Sequence, residues 1–165
     1  QPQAKSHDPT PTQRYALNIW NQVERDDRIV AEHPYCRDKK LTHAFGAGRA
    51  VVKTKKLGRR DCIVVPVREL PSETVVAVQL IAEDGDQQSL GPIKTHCLPL
   101  GNTLDVGLRR FVVEGWATGA AMLNHYNGNC AIFISFGCSN MKTIANSVAT
   151  FFPGNDVLIA GEHDD

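Results

Sequence analysis

The spacing of apolar residues changes along the chain, and its first region has the period of a helix. Between Tyr15 and Val23, apolar residues recur at intervals of three and four, which is the spacing of one face of an α-helix. We therefore expect a helix from about 13 to 25, with Thr12 as the residue that caps its amino terminus. Pro34 ends this regular pattern and is followed by a cluster of basic residues.

A strand-like pattern replaces the helical one at about residue 48. Three segments rich in valine and isoleucine follow, at 50–52, 62–67 and 75–82, and such residues favour strands. An acidic turn at 83–86 separates the last of them from a short polar segment, so the pattern predicts a small antiparallel sheet. Pro66 indicates an edge position or a bulge, because proline cannot donate to a strand ladder. Gly91, Pro92, Pro99 and Gly101 predict a connecting loop.

From residue 109 the pattern alternates between strands and helices. Apolar strands are expected at 110–114, at 130–135 and from 156, separated by amphipathic helices at about 115–126 and 139–151. Ser139 or Asn140 is placed to cap the second helix. This β-α-β-α-β order with short connections predicts a parallel sheet with right-handed crossovers. Because the strands are apolar throughout, we expect both faces of the sheet to be buried.

Composition is that of a folded protein. The chain has 165 residues, of which 42% are hydrophobic and 22% are charged, which excludes general disorder. It has no apolar run of the ~18 residues that span a membrane, and its first residues lack the apolar stretch of a signal peptide. We therefore expect a cytoplasmic α/β protein with no membrane contact. The patterning divides it into an amino-terminal helix with a basic segment (1–47), a β-rich region (48–107) and an α/β core (108–165).

Charge is distributed unevenly, although the net charge is zero. Residues 1–60 contain 13 Lys and Arg against 6 Asp and Glu, whereas residues 61–165 contain 5 against 12. A basic half of this kind is typical of a surface that meets a polyanion, but solvated loops or attraction between the two halves would give the same counts. The candidate nucleic-acid-binding residues are Arg37, Lys39, Lys40, Lys53, Lys55, Lys56, Arg59 and Arg60.

Acidic residues follow two of the predicted parallel strands. The first strand ends at Glu114, and the third continues into Glu162, His163, Asp164 and Asp165. Ligands bind beyond the carboxyl ends of strands in such a sheet, and Glu114 meets Glu162 or Asp164 there if the two strands are neighbours. Like charges at one edge repel unless a cation neutralises them, and hard oxygen ligands suit Mg²⁺ or Mn²⁺. A solvated strand end and a frayed tail are the alternative interpretations.

Five segments occur in an order that is known from one protein family. They are HPYCRDKKL, the strand-rich stretch beginning with CIVVPVRE, FVVEGWATGAAML, ISFGCSNMKTIA and VLIAGEHDD. Together they resemble a Toprim domain of the primase-like kind that phages and plasmids carry, over most of residues 14–165. Toprim domains have a glutamate after the first strand and an Asp-x-Asp motif after the third. Here these positions correspond to Glu114 and to Glu162 with Asp164.

The resemblance implies nucleotidyl transfer that depends on Mg²⁺ or Mn²⁺. Two divalent ions held by carboxylates then activate a 3′-hydroxyl and stabilise the leaving pyrophosphate. Glu114 is implied as a metal ligand or as the proton acceptor for the attacking hydroxyl, and Glu162, Asp164 and Asp165 as metal ligands. Helix amino termini near Gly115, Ser139 and Asn140 are expected to donate backbone N–H groups to phosphate. The implied partners are single-stranded DNA, nucleotides and a helicase domain or protein.

Two departures from the Toprim pattern leave other functions open. Glu162 stands where the family has aspartate, and its longer side chain alters the metal distances. The chain also stops at Asp165, where a Toprim domain continues with a further helix and strand, so we expect a fragment or a shortened relative. The first interpretation is a primase-like protein that replicates the DNA of a mobile element. A catalytically silent nucleic-acid-binding module with a degenerate site and a Toprim nuclease are the alternatives.

Overall fold

The computed structural model describes residues 8–161. In this part of the chain there are two four-stranded sheets and five α-helices. One hydrophobic core contains residues of both sheets, among them Ile63 and Ile81 of the first and Ile132 of the second. None of the helices formed by these residues is long and apolar enough to cross a membrane.

The amino-terminal helix α1 covers Pro11–Gln22. Its cap is Thr10, whose side chain accepts a hydrogen bond of 3.1 Å from the Gln13 N–H. The expected cap at Thr12 is therefore wrong, and the helix starts earlier than predicted. The reason is Pro11, which is favoured in the first turn because no intrahelical partner exists there for its missing N–H.

The first sheet is an antiparallel meander, as the sequence predicted. Its strands are β1 (Gly48–Thr54), β2 (Gly58–Glu69), β3 (Thr74–Ile81) and β4 (Gln87–Leu90), paired in chain order. Pro66 pairs with Val78 of β3 beyond the end of β1, and the register of β2 shifts between Val67 and Arg68. Proline is tolerated at this point because β2 has lost its β1 neighbour there.

Both faces of the first sheet are covered. The apolar side of α1, with Ile19 and Trp20, packs on one face against Leu80. The next residue of β3, Ile81, points to the opposite face, since side chains alternate along a strand, and joins the core shared with the second sheet.

Two short helices that the sequence pattern did not predict connect α1 to β1. They are α2 (Asp27–Ala31) and α3 (Pro34–Asp38). Pro34 does not end regular structure here but occupies the first position of α3, where proline is favoured. His33 caps α3 with its ring, because its Nδ1 accepts a hydrogen bond of 3.2 Å from the Tyr35 N–H.

The second sheet is mixed rather than purely parallel. It contains β5 (Leu98–Gly101), β6 (Arg109–Val113), β7 (Cys130–Ile134) and β8 (Val157–Ile159) in the order β5-β7-β6-β8. As predicted, β6 pairs in parallel with β7 and β8. The loop expected around Pro99 and Gly101 is instead the edge strand β5, which pairs antiparallel with β7. An edge strand tolerates Pro99 because its outer side has no ladder bond to lose.

The two expected crossover helices lie on opposite faces of the second sheet. They are α4 (Trp116–His125) and α5 (Met141–Phe151), the latter preceded by a 3₁₀ turn over Cys138–Asn140. Alternate residues of β6 separate the two cores, with Val113 on the α4 side and Val112 on the α5 side. The expected burial on both faces holds for β6 and β7 but not for β8, where Leu158 is 51% exposed.

Candidate functional site

Glu114 lies where β6 ends, at the carboxyl edge of the second sheet. Its side chain is half-buried, and its backbone oxygen accepts a hydrogen bond of 2.8 Å from the Phe136 N–H, just beyond β7. On the other side of β6, the Ala160 N–H donates to the Val112 oxygen at 2.9 Å. The first and third parallel strands, β6 and β8, are therefore neighbours. This is the arrangement that must hold if the acidic residues after the two strands are to meet.

The other predicted metal ligands, Glu162, Asp164 and Asp165, lie with His163 outside the described residues, which end at Gly161. Within residues 8–161, no group of three His, Cys, Asp or Glu side chains could hold a metal ion. No side chain of the same residues makes an ion pair with the Glu114 carboxylate. Carboxylate oxygens are the donors that Mg²⁺ prefers, so Glu114 is chemically suited to such a site.

A cleft of about 350 Å³ opens beside the amino terminus of α4, and we call it the central cleft. It is lined by Tyr35, Lys39, Ile81, Gln87, Gly115, Trp116, Ala117, Thr118 and Ala121. Gly115 is the cap residue of α4, and no side chain caps the first turn. A Cβ atom on Gly115 would meet nothing within 4 Å, so the space there is open. Uncapped N–H groups at a helix amino terminus attract anions.

Two predicted site residues from distant parts of the sequence meet at the central cleft. Lys39, which follows α3, and Gly115, which precedes α4, line the same cavity. The Lys39 ammonium lies 5.7 Å from the centre of the Tyr35 ring. Next to it, a cavity of about 520 Å³ shares Tyr35, Lys39 and Gln87, and its lining also includes the acidic residues Asp38, Glu83 and Asp84. Lys39 therefore lies where the two cavities meet.

Polar contacts around the buried His33 ring anchor α3 beside the central cleft. The His33 ring is completely buried, and its Nε2 lies 2.9 Å from the Asp61 backbone oxygen. The Asp61 carboxylate accepts two hydrogen bonds from the Arg49 guanidinium, at 2.7 and 3.1 Å. The hydrogen bond to Asp61 raises the pKa of Arg49. The His33 contact ties the segment that contains Lys39 to the first sheet, and the Arg49–Asp61 pair joins β1 to β2.

Four more of the predicted nucleic-acid-binding residues are exposed on the β1–β2 hairpin. They are Lys53, Lys55, Lys56 and Arg59. Lys53 lies opposite Arg59 in the ladder. The Lys56 ammonium donates a hydrogen bond of 2.8 Å to the Gln87 backbone oxygen. That bond places the tip of the hairpin next to β4. Gln87, the first residue of β4, also lines the central cleft.

Arg60, the eighth predicted residue, is engaged by acidic side chains of the turn after β3. Its guanidinium lies 3.1 Å from an Asp84 carboxylate oxygen and 3.8 Å from one of Glu83. The hydrogen bond to Asp84 raises the pKa of Arg60. The Asp86 N–H and then Arg60 lower the pKa of Asp84. The charge of Arg60 is thus balanced within the protein, whereas Lys53, Lys55 and Lys56 make no ion pair with residues 8–161.

Asn140, which was expected to bind phosphate, has a structural role instead. Its side-chain oxygen accepts from the Thr95 N–H at 3.0 Å, and its amide donates to the Ile93, His96 and Ser135 oxygens. Its own N–H donates to the Gly137 oxygen at 3.1 Å. Both its amide and its backbone N–H are therefore used within the protein. Ser139 is exposed in the same 3₁₀ turn, so its position is open to a ligand.

Four of the five cysteines are buried, and only Cys138 is exposed. Burial raises the pKa of Cys36 and Cys62 to about 11 and that of Cys97 to about 12. A thiol with such a pKa is protonated at neutral pH and is a poor nucleophile. These three cysteines are therefore packing residues.

Sequence reasoning did not identify Gln87 and Thr118 as residues of the central cleft. Gln87 begins a short polar strand and Thr118 lies inside a helix, and neither position carries a local signal. They meet because the first sheet faces α4 across the shared core. Tyr35 could have been named as a candidate from the sequence, because it belongs to the HPYCRDKKL segment on which the family resemblance rests.

No protein-family model matches this chain, and no curated protein matches it in sequence. Its fold is similar to those of solved primase domains. The primase fragment of the bacteriophage T7 primase-helicase protein has a TM-score of 0.58 at 14% identity, over 88% of this chain and 58% of that chain. The DnaG primase catalytic domain bound to ssDNA has a TM-score of 0.59 at 15% identity, over 93% and 61%. A DNA primase domain from Pseudomonas aeruginosa has a TM-score of 0.55 at 14% identity, over 90% and 60%.

These likenesses establish the fold in its coarse form. The identities of 14% to 15% are too low to transfer an activity, since unrelated functions recur on one fold. The chain spans between 58% and 61% of the length of these primase structures. The chain has a mixed α/β fold similar to that of primase catalytic domains.

Proposed function

We propose that this chain is part of a primase-like nucleotidyltransferase that replicates the DNA of a mobile element and uses Mg²⁺ or Mn²⁺. The observation that carries the proposal is the position of Glu114. It follows a parallel strand of a primase-like fold and directly precedes the open amino terminus of α4. Because the chain spans less than two thirds of the similar structures, the activity of the whole protein is itself part of this proposal.

In the proposed site, Glu114, Glu162, Asp164 and Asp165 hold the divalent cation. Support comes from the parallel pairing of β6 and β8, which makes the strand before Gly161 a neighbour of the strand before Glu114. When bound, the cation supplies charge stabilisation at phosphoryl oxygens. The Glu114 carboxylate has no ion-pair partner in residues 8–161, so it is also suited to accept the proton of an attacking hydroxyl.

The central cleft is the proposed binding place for the phosphate groups of a nucleotide. Lys39 contributes a positive charge at the rim of the cleft. The first backbone N–H groups of α4, which follow Gly115, border the same cleft and form the positive end of the helix dipole. Ser139, exposed after β7, is a further candidate for a phosphate contact. Asn140 is not proposed for this role, because its polar groups are already paired.

The exposed basic residues are proposed to follow the backbone of a single-stranded DNA template. They form two groups, Arg37, Lys39 and Lys40 around α3, and Lys53, Lys55, Lys56 and Arg59 on the β1–β2 hairpin. Contacts of this kind neutralise phosphates without reading bases and weaken with salt. One of the similar structures is a primase domain bound to ssDNA, and another is a fragment of a primase-helicase. They support single-stranded DNA and a helicase as partners.

The test is primer synthesis by the full-length protein on single-stranded DNA, with labelled nucleotides and Mg²⁺ or Mn²⁺. Glu114→Gln keeps the size of the side chain and removes its charge. It is expected to lower the rate by at least about 100-fold, the usual effect of losing a group that moves a proton. Glu24→Gln, an exposed glutamate far from β6 in sequence, is the matched control and should leave the rate unchanged.

Three other outcomes point away from a primase. An unchanged rate in Glu114→Gln would place the chemistry elsewhere. Metal-dependent cleavage of the template that stops in Glu114→Gln would favour the nuclease. Salt-sensitive binding of single-stranded DNA with neither synthesis nor cleavage would favour the catalytically silent module.

A further inference from the structure

The outer edge of β1 is open between two blocked positions. The Arg49 N–H and C=O pair with the backbone of Glu24 at 2.9 and 3.0 Å, and the Lys53 oxygen accepts from the Tyr15 hydroxyl at 2.6 Å. Alternate residues of a strand direct their backbone groups to the same side. The N–H and C=O of Val51 therefore also point away from β2. Neither has a partner within residues 8–161.

A groove of about 350 Å³ runs along this open edge, between β1 and α1. Its floor is formed by residues 50–53, and its wall by Tyr15, Asn18, Ile19 and Gln22. The wall residues are three or four positions apart, so they form one face of the helix. Val51 is 59% exposed. The side chains of Ala50 and Val52 pack on the α1 side of the sheet, so the Val51 side chain points to the opposite face. The groove therefore presents two side-chain amides beside an unpaired backbone edge.

The charge around this groove is mainly positive, with the exposed Glu24 as the opposing charge at the end where the edge is paired to Arg49. Helix α1 contains Arg14 and no acidic residue, and Lys53 lies on the groove itself with Arg59 opposite it in β2. Asp61, the acidic residue opposite Val51, is already paired with a guanidinium at 2.7 Å. A ligand that complements this surface is therefore acidic.

We propose that the β1 edge binds an extended acidic segment of a partner protein. The segment adds a strand of about three to five residues to the first sheet, hydrogen-bonded to Val51. Its acidic side chains approach Lys53, and an apolar side chain contacts Ile19 in the groove. A DNA backbone offers acceptors only and leaves the Val51 oxygen unpaired, so the open edge matches a peptide better than single-stranded DNA.

This surface is separate from the proposed catalytic site. No residue lines both the β1 groove and the central cleft. A partner that binds here leaves the central cleft open but competes with the proposed DNA template for Lys53. The proposal itself does not require nucleotidyl transfer. In this proposal, the first sheet recruits another protein.

The test uses the full chain and a fluorescent eight-residue peptide of alternating Asp and Val. Saturable binding that weakens with salt is expected, together with slower hydrogen exchange at the Val51 N–H. Val51→Pro removes that N–H, and Val51→Asp keeps it but adds a repelling charge, so each should weaken binding by at least about tenfold. Leu158→Asp is the matched control, because Leu158 is a similarly exposed apolar residue on the edge strand β8. It should bind like the wild type.

Four results would overturn the proposal. They are no saturable binding below about 1 mM peptide, equal binding of a peptide of alternating Lys and Val, unchanged affinity in both Val51 variants, and an equal loss in Leu158→Asp. If oligo(dT) displaces the acidic peptide and loses affinity in both Val51 variants, the groove is a nucleic-acid surface and the proposal also fails. Weaker peptide binding in Val51→Pro, which adds no charge, with an unchanged rate of primer synthesis supports a recruitment surface distinct from the catalytic site.

Discussion

His33 Nε2 lies 2.9 Å from the backbone oxygen of Asp61, and this contact joins α3 to β2. Since Nδ1 of the same ring accepts the Tyr35 N–H, the ring proton must be on Nε2, where it is donated to the Asp61 oxygen. One buried side chain therefore caps α3 and fixes it to the sheet. A helix of five residues has little stability of its own, so this link positions Lys39 at the central cleft.

Replacing His33 with Ala should lower the free energy of unfolding by about 2–4 kcal/mol, because it removes a helix cap and leaves a buried carbonyl unpaired. His33→Asn restores a capping side chain and should recover about 1 kcal/mol of that loss. Urea unfolding measures both. His125→Ala, at an exposed histidine, should stay within about 0.5 kcal/mol of the wild type. A similar small loss in His33→Ala would mean that the ring contributes little to the fold.

Asn140→Ala should destabilise the protein by about 1–3 kcal/mol, since it leaves several buried backbone groups without partners. The Thr95 N–H, which donates to the Asn140 side chain at 3.0 Å, should exchange with solvent faster in this variant. Ser139→Ala is the control for stability, because Ser139 is exposed. Only if Ser139 contacts phosphate should Ser139→Ala weaken nucleotide binding. Equal stability of the two variants would contradict the structural role of Asn140.

Replacing Lys53, Lys55 and Lys56 with Ala should weaken the binding of single-stranded DNA and flatten its dependence on salt. If each lysine neutralises one phosphate, the slope of log K against log salt should fall in magnitude by about 2 in total. Fluorescence anisotropy with oligo(dT) at several salt concentrations measures this slope. Arg60→Ala is the comparison, because the charge of Arg60 is balanced by Asp84, and it should change the slope less. An unchanged slope in the triple variant would exclude the hairpin from the interface.

His96 should make the stability of the protein depend on pH. Burial lowers the pKa of His96, and Glu69 partly opposes this shift. Just below the ordinary histidine pKa of about 6.5, the unfolded chain then binds more protons than the folded one, so stability falls as the pH drops through that range. Wild-type protein should therefore lose more stability between pH 7.5 and pH 5.5 than His96→Gln, as measured by urea unfolding. An equal loss of stability in the two proteins would contradict the lowered pKa of His96.

Long, periodic segments could be predicted from sequence, because their apolar pattern decides both their conformation and their burial. The crossover helices α4 and α5 and the parallel pairing of β6 and β7 follow directly from it. Strand β5 could not be predicted, because its four residues, LPLG, have the composition of a loop. Only pairing with β7 makes them a strand, and that contact is decided by the tertiary fold.

The candidate site was predictable where one residue follows a strand, and less so where side chains from distant elements meet. Glu114 became a candidate because the end of β6 could be predicted from the sequence. The central cleft could not be predicted from the sequence, since it forms only when α3, β4 and α4 pack together. Asn140 shows the converse, because a polar residue at a helix start is equally compatible with ligand binding and with the buried hydrogen bonds that it makes.

A crystal structure of the protein with Mn²⁺ and a nucleotide, recorded at a wavelength where manganese scatters anomalously, would show directly whether Glu114 binds a metal ion. We expect an anomalous peak at the carboxyl edge of the second sheet, about 2.0–2.2 Å from a Glu114 oxygen, with the nucleotide phosphates against Lys39 and the first turn of α4. A bound nucleotide with no manganese at Glu114, or manganese and nucleotide together at another place in the fold, would contradict this expectation.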